Sequence, residues 1–198
     1  MKKNKVFEIS FLLIVLSALS FAQTNLVDQI KNKYSSVGTF QADFSVETGQ
    51  RLSGRVVFQK ENKIKIVTEK RTIVSDGKTN WNYEKRTNKV IISEAAPGQS
   101  QFSPEFYLSQ LSSGKDFQTL EKKNGLSGVK FTPQNNGMNL KSIVLWVDSN
   151  LIVKRIEAER KHGGKFVLSL KNVKLNQPVA ADEFKFQPPE NARIIDLR

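Results

Sequence analysis

One short stretch decides the fold, and its sequence is Val74-Ser75-Asp76-Gly77-Lys78-Thr79-Asn80-Trp81-Asn82-Tyr83. An Asp-Gly step between two β-rich segments is a strong hairpin signal, because both turn positions have to tolerate positive φ. Beyond the turn, Trp81 and Tyr83 alternate with asparagines, so both aromatic rings should lie on one face of the second strand. That face needs an apolar cover.

The same alternation recurs on both sides of this hairpin and predicts an antiparallel meander. The predicted strands are residues 40–47, 52–59, 63–66, 72–76, 80–84, 89–93, 117–123, 126–132, 140–148, 151–160 and 165–175. In Lys63-Ile64-Lys65-Ile66 the lysines should face water and the isoleucines the interior, so we expect one solvated face. A meander of this many strands cannot stay flat, which predicts a curved sheet.

Two segments interrupt the strands with the features of short helices. Residues 24–37 have apolar side chains at helical spacing, and Gly38 follows as a stop signal. Residues 103–111 begin with Ser103 as a predicted N-cap and Pro104 at the first helical position. We expect both helices to pack over the apolar, concave side of the sheet.

The N-terminal segment has the features of a secretory signal, in which lysines precede an apolar run and small residues. The run is too short for a comfortable membrane span. Cleavage is expected between Ala22 and Gln23. We therefore predict a signal peptide over residues 1–22 and a single domain over residues 23–198.

The composition argues against catalysis. The chain has no cysteine and a single histidine, His162, which lies in a predicted turn. Ordinary zinc sites and histidine-based triads are therefore excluded. The Asp76 carboxylate is explained by its turn. We expect no enzyme activity, no metal and no cofactor.

The charge balance points to anionic partners. The chain has 31 Lys and Arg against 19 Asp and Glu, and without the predicted signal 28 and 18 remain. Such an excess favours contact with membrane surfaces or acidic proteins, and export argues against nucleic acid as a partner. Five basic residues are predicted to cluster around two adjacent turns: Lys60, Lys63, Lys65, Lys70 and Arg71.

Several pieces of the sequence, in their order and spacing, resemble one family. They are Phe40-Gln41-Ala42-Asp43-Phe44, Gly54, residues 74–78 with Trp81 and Tyr83, Phe184-Lys185-Phe186-Gln187-Pro188-Pro189, and Ile194-Ile195-Asp196. Together they resemble the LolA family, the periplasmic carriers of outer-membrane lipoproteins. The resemblance implies a mainly β fold with a helical lid (α+β), an incomplete antiparallel β-barrel of roughly 11 strands covered by short α-helices.

The family commonly has Arg-Pro at the end of the strand that follows the glycine, where this chain has Lys60-Glu61. In the family, the arginine helps to hold the lid closed. Lysine keeps the charge but lacks the planar fork of donors that can grip several carbonyls. By this resemblance Lys60 is predicted to be a lid latch or a partner contact, with lid closure weaker or differently arranged.

The resemblance also implies a lipid-binding cavity between the sheet and the helices. Its walls are expected to include Phe44, Phe58, Ile64, Ile66, Trp81, Tyr83 and Leu145. The lid is expected to include Leu26, Ile30, Tyr34, Phe106, Tyr107, Leu108 and Leu111. The alternative is that these side chains simply form a filled core, as apolar residues of a β domain usually do.

By resemblance, the protein is expected to be a monomeric carrier in the periplasm of a diderm bacterium. It would shield the acyl chains of lipoproteins, with an inner-membrane lipoprotein-releasing ABC transporter as donor and an outer-membrane receptor as acceptor. One alternative is a periplasmic sensor or carrier of the same fold for glycolipid. Another is a structural envelope protein with a filled core that binds anionic polymer through its lysines.

Overall fold

The computed structural model describes residues 25–48, 50–95, 104–134 and 139–198. The predicted signal peptide, its cleavage site and the Ser103 cap lie outside these residues. The helices are α1 (Leu26–Ser35) and α2 (Pro104–Ser113). The strands are β1 (Thr39–Thr48), β2 (Gln50–Gln59), β3 (Lys63–Thr68), β4 (Arg71–Asp76), β5 (Thr79–Glu84), β6 (Lys89–Glu94), β7 (Lys115–Lys123), β8 (Leu126–Thr132), β9 (Leu140–Val147), β10 (Val153–Arg160), β11 (Lys165–Leu175) and β12 (Arg193–Asp196).

These strands form one sheet in the order β12-β6-β5-β4-β3-β2-β1-β11-β10-β9-β8-β7. Two meanders join where β1 pairs with both β2 and β11, so that Phe44 lies opposite Gly54 on one side and Leu170 on the other. The prediction of a mainly β protein with short helices is confirmed. The sheet has twelve strands rather than eleven, and it is open rather than closed into a barrel, with β7 and β12 as its edges.

The strand that the sequence did not predict is β12. It pairs with β6 in parallel, from Arg193 opposite Lys89 to Asp196 opposite Ile92. A strand of four residues is too short for a period of two to be recognised. Because parallel partners need a long connection, the chain between β11 and β12 has to cross the sheet before it pairs.

The β4–β5 turn depends on Gly77. This residue has φ +95°, and a Cβ there would lie 2.3 Å from the carbonyl oxygen of Glu61 in the neighbouring turn. The Asp76 carboxylate accepts hydrogen bonds from the backbone N–H groups of Lys78 and Thr79, both at 2.8 Å. The expectation of positive φ at both turn positions was therefore wrong, since Asp76 instead fastens the turn through its side chain.

The strand register separates the two faces of the sheet. On the helix face, defined by the row Val56, Ile66 and Ile73, side chains pack toward α1 and α2. The outer face is defined by the next row, Val57, Lys65, Val74, Trp81 and Ile92, each opposite the one before. Because alternate residues point to opposite faces, Trp81 and Tyr83 lie on the side away from the helices.

The C-terminal segment between β11 and β12 covers part of the outer face. The ring of Phe186 lies 6.3 Å from that of Trp81 and 6.2 Å from that of Tyr83, measured between centroids. Glu183 forms an ion pair with Lys65 at 3.2 Å, and Phe184 is only 6% exposed. The expected solvated face is therefore wrong for this half of the sheet, where both faces are covered.

Candidate functional site

Helix α1 begins at a polar cap and buries one side. The Asn25 side chain accepts a hydrogen bond from the Asp28 N–H at 2.9 Å, which satisfies a free donor of the first turn. Val27, Ile30 and Tyr34 follow at helical spacing and are buried. This side faces the sheet and presents one hydroxyl, that of Tyr34, among apolar groups.

Three polar contacts hold the C-terminal end of α1. The Tyr34 hydroxyl accepts a hydrogen bond from the Val153 N–H at 2.9 Å. Burial raises the pKa of Tyr34 to about 12, although this hydrogen bond by itself lowers it. The Lys60 ammonium donates to the carbonyl oxygen of Ser35 at 3.3 Å. Just beyond the helix, the Gly38 N–H donates to a side-chain oxygen of Asn176 at 2.7 Å.

Helix α2 contacts the core through apolar side chains. Leu111 is 1% exposed, and Tyr107 and Leu108 are half-buried against the core residues. Phe106 packs edge-on against Tyr107, with 5.2 Å between the ring centroids. Such contacts are non-directional, so the helix can be displaced without breaking an ordered set of hydrogen bonds at these side chains.

A small cavity of about 40 Å³ lies between the helices and the sheet. It is lined by Ile30 and Tyr34 of α1, Tyr107, Leu108 and Leu111 of α2, Phe40 of β1, Val56 of β2, Leu145 of β9, Val153 and Ile156 of β10, and Leu168 and Leu170 of β11. None of these side chains carries a charge at neutral pH. The wall suits an apolar ligand.

The sequence also matches the pattern that defines a known family, described as Outer membrane lipoprotein carrier protein LolA, over residues 35–187. The chain belongs to the LolA family. An outer-membrane lipoprotein carrier protein of Erwinia tasmaniensis is 26% identical over 177 residues, which cover 87% of this chain and 85% of the relative. The protein of the same name from Actinobacillus succinogenes is 21% identical over 206 residues, covering 99% and 98%.

A similar fold is found among solved structures. An uncharacterized conserved protein from Thermus thermophilus has a TM-score of 0.58 at 15% identity, and the match covers 86% of this chain and 96% of that one. In the part of the chain that the structure describes, no helix is long and apolar enough to cross a membrane. Those same residues contain no group of three or more metal-binding side chains.

The structure brings together most of the predicted lid residues. Ile30, Tyr34, Tyr107, Leu108 and Leu111 line the cavity. Leu26 packs against the core, while Phe106 lies beside Tyr107.

The predicted wall residues separate into three groups. Leu145 lines the cavity, and Phe44, Phe58, Ile64 and Ile66 are buried in the same core without lining it. Trp81 and Tyr83 were predicted to line the cavity, but they lie on the outer face against Phe186. The alternation showed that these two rings share a face, and it could not show which cover that face would receive.

Six of the lining residues were not predicted from the sequence: Phe40, Val56, Val153, Ile156, Leu168 and Leu170. All six occupy apolar positions within or beside predicted strands. Alternation alone does not distinguish them from other core positions. These residues line the cavity because β1 pairs with β11, which brings distant parts of the chain together.

The β2–β3 turn has a conformation that the Arg-Pro common in the LolA family would not fit. Glu61 has φ 72° and Asn62 has φ 60°, so two successive residues are left-handed. Proline is fixed near φ −65° and cannot occupy position 61 in this turn. Lys60 still contacts the end of α1, but it makes one hydrogen bond there. A guanidinium at this position could donate to several carbonyls at once.

The expected cluster of basic residues is not a single patch. Lys60 and Lys63 lie at the turn where β3 begins, whereas Lys70 and Arg71 lie beyond its other end. A strand of six residues separates them by about 20 Å. Lys65 lies on the outer face and pairs with Glu183. The two turns are therefore at opposite ends of the sheet.

Proposed function

We propose that this protein is a periplasmic carrier that shields the acyl chains of outer-membrane lipoproteins in the cavity under α1 and α2. The observation that carries the proposal is an uncharged cavity whose wall is shared between the sheet and two helices, in a member of the LolA family. The two relatives described above are named outer-membrane lipoprotein carrier proteins. A carrier of this kind needs no covalent chemistry.

The small size of the cavity implies that the helices move when cargo enters. A volume of about 40 Å³ holds at most about three water molecules, and pockets for small ligands are usually about 300 Å³ or larger. The apolar contacts of Leu108 and Leu111 with the core have to be exchanged for contacts with the acyl chain. The helices then act as a lid, with Lys60 as a latch at the end of α1.

This exchange keeps binding reversible. Burial of about 14 methylenes at ~0.8 kcal/mol each offers roughly 11 kcal/mol, so an ideal, open pocket would bind a multi-chain anchor almost irreversibly. Opening the lid exposes side chains that are worth about 1.5–3 kcal/mol each when fully buried. The net affinity is the difference, which permits release to an acceptor that offers a better site.

The remaining steps follow from the resemblance to the family. After export and cleavage between Ala22 and Gln23, the monomer would receive lipoprotein from an inner-membrane ABC transporter. It would pass the lipoprotein to an outer-membrane receptor. The basic excess of the chain suits transient contact with membrane-bound partners.

Native mass spectrometry of the protein purified from its own periplasm tests the proposal. Bound triacylated lipoprotein is the expected result. Bound glycolipid would support a carrier of the same fold with different cargo. A protein that is always empty and accepts no added acyl ligand would contradict both kinds of carrier and favour a filled core.

A substitution in the lid separates cargo binding from folding. In Leu108→Asp a carboxylate would lie at the cavity wall, so we expect acyl binding to fall at least about tenfold because a buried charge has no partner there. Since Leu108 is half-buried, the unfolding free energy should fall by only about 1–2 kcal/mol. The matched control is Leu197→Asp, at a side chain that is 66% exposed. Global unfolding of Leu108→Asp would contradict the lid.

A further inference from the structure

One end of the sheet has a corner that is rich in exposed cations. It is made by the β3–β4 turn, the β5–β6 turn and the chain that leads into β12. These three segments lie side by side, because β3, β4, β5, β6 and β12 are consecutive neighbours in the sheet. The exposed cations that define this basic corner are Lys70, Arg71, Lys85, Arg86 and Arg193.

Hydrogen bonds join the three segments of the basic corner. The N–H of Lys85 donates to the carbonyl oxygen of Lys70 at 3.0 Å, and the Lys85 ammonium donates to that of Thr68 at 2.8 Å. The N–H of Arg193 donates to the carbonyl oxygen of Asn88 at 2.9 Å. The cations are therefore presented from one connected surface rather than from separate loops.

The protein leaves most of this positive charge unpaired. Residues 69–71, 84–89 and 190–193 contain six basic and three acidic side chains, and the acidic ones are Glu69, Glu84 and Glu190. Within these described segments, the one ion pair joins Lys89 to Glu84 at 3.8 Å. Several exposed cations of the corner therefore remain available to an external anion.

The opposite end of the same strands is neutral. Residues 60–63, 76–78, 94 and 196–198 contain four basic and four acidic side chains. Lys63 pairs there with Glu61 at 3.3 Å, and Arg198 pairs with Asp196 at 2.7 Å. A strand of six residues separates the two ends by about 20 Å, more than the Debye length of about 8 Å at physiological salt. The positive field is therefore local to the basic corner.

Glu84 responds to charges from both turns of the corner. The hydrogen bond from Thr87 is the largest cause that lowers the pKa of the Glu84 carboxyl, and the positive charges of Lys89, Arg71 and Arg86 lower it further. Arg71 follows the β3–β4 turn, whereas Arg86 lies in the β5–β6 turn. Cations of the two turns thus act together at one place.

We propose that the basic corner docks the protein onto the surface of an anionic lipid bilayer. Lysines and arginines near such a surface bind it through diffuse electrostatic attraction, which needs no complementary pocket. A protein partner usually needs a buried apolar or aromatic anchor as well. Among the described residues, the exposed large apolar side chains are Leu52, Phe117, Ile194 and Leu197, and none of them lies within the three segments.

The basic corner is separate from the cavity. Among the described residues that line the cavity, none belongs to β3, β4, β5, β6 or β12. The helices are therefore free to open while the corner contacts a membrane. The inference rests on the proposed function for its purpose, because a lipoprotein carrier has to approach a membrane at each end of its path. It adds the side of the molecule that makes this approach.

Co-sedimentation of the purified mature protein with phospholipid vesicles tests the inference. The vesicles contain phosphatidylcholine alone or with about 30% phosphatidylglycerol, at about 0.1 M and about 0.5 M salt. At the lower salt concentration we expect at least about tenfold tighter binding to the anionic vesicles, because each net positive charge near such a surface raises the affinity about fivefold. The higher salt concentration should remove this preference.

A double variant tests whether the corner makes the contact. Lys70→Glu with Arg86→Glu reverses one exposed charge in each turn and should weaken binding to the anionic vesicles at least about tenfold. The matched control is Lys122→Glu with Lys123→Glu, which changes the net charge equally at exposed positions of β7, at the other end of the sheet. It should lose less than about threefold. Thermal unfolding checks that both variants are folded.

A second measurement separates the inference from the function on which it rests. Displacement of a neutral, fluorescent naphthylamine dye by methyl laurate, without vesicles, reports acyl binding, which should be equal in all three proteins. If methyl laurate binds but the wild type does not prefer anionic vesicles, the inference is overturned, the carrier function stands, and the corner suits an acidic protein instead. Equal loss of vesicle binding in both double variants also overturns it. Vesicle binding as expected without acyl binding would support the docking surface and contradict the carrier function.

Discussion

Apolar side chains are covered on both faces of the sheet, but in different ways. On the helix face, α1 and α2 lie over a cavity, and Tyr107, Leu108 and Leu111 of α2 pack against the core. On the outer face, the segment with Phe184 and Phe186 is continuous with β12, which is hydrogen-bonded to β6. One cover is attached by side chains and the other by a backbone ladder.

This difference assigns a role to each cover. A strand in a ladder cannot leave without losing several directional hydrogen bonds together, so the outer cover is part of the permanent fold. Apolar helix contacts can be exchanged for contacts with an acyl chain at little net cost. Reversible binding is therefore expected under the helices, and three further predictions test this contrast.

The largest effect is expected on the outer face. Phe184→Ala removes a ring that is 6% exposed, so the unfolding free energy should fall by about 3–5 kcal/mol, as for other buried phenylalanines. Acyl binding by the folded fraction should not change. Urea denaturation and dye binding at low temperature measure the two quantities. A loss of binding in folded Phe184→Ala would show that the outer cover also serves the cavity.

The second-largest effect is expected at alkaline pH, which should lower the stability of the protein through Tyr34 of α1. Burial raises the pKa of Tyr34 from 10.0 to about 12, so the unfolded chain loses this proton first. The protonated Tyr34 hydroxyl therefore stabilises the folded state by about 3 kcal/mol below pH 10. This stabilisation is lost as the pH rises to about 12. The pKa of Tyr107 is also raised by burial, which acts in the same direction.

The variant Tyr34→Phe provides the control for this prediction. It should lose about 1 kcal/mol at neutral pH, where only the bond to Val153 is missing, and its stability should decline less above pH 10. Urea denaturation followed by circular dichroism between pH 7 and about 11.5 measures both curves. If the unfolding free energy of both proteins fell equally steeply above pH 10, Tyr34 would not be the source of this pH dependence.

The smallest effect is expected at Lys60, the proposed latch. Lys60→Ala removes one hydrogen bond to Ser35 from an exposed side chain, so stability should change by less than about 1 kcal/mol. Hydrogen exchange of the α1 amides should nevertheless become faster, because this bond holds the end of the helix. Lys78→Ala, at another exposed lysine of the same end, is the control. Equal exchange in both variants would show that Lys60 is not a latch.

Much of the fold was predictable from local patterns. Alternation located eleven strands to within about two residues, since each strand buries one set of alternate side chains. Helical spacing located α1, and Pro104 marked the start of α2. The four-residue β12 was not predictable, because so short a segment has no measurable period and gains its partner only after the chain crosses the sheet.

The site was predictable only in part. Ile30, Tyr34, Tyr107, Leu108 and Leu111, which the sequence assigned to the lid, line one cavity because the helices bury their apolar sides against the sheet. The opposite wall depends on the pairing of β1 with β11, which is not encoded in either strand alone.

The hairpin at Gly77 shows which features follow from the sequence and which depend on the tertiary structure. The sequence by itself determined the turn, through a residue that tolerates positive φ, and it determined that Trp81 and Tyr83 share a face. Only the tertiary structure decided that this face meets Phe186 rather than the cavity. The physical reason is that alternation fixes which side chains point together, whereas the cover they receive depends on where distant segments pack.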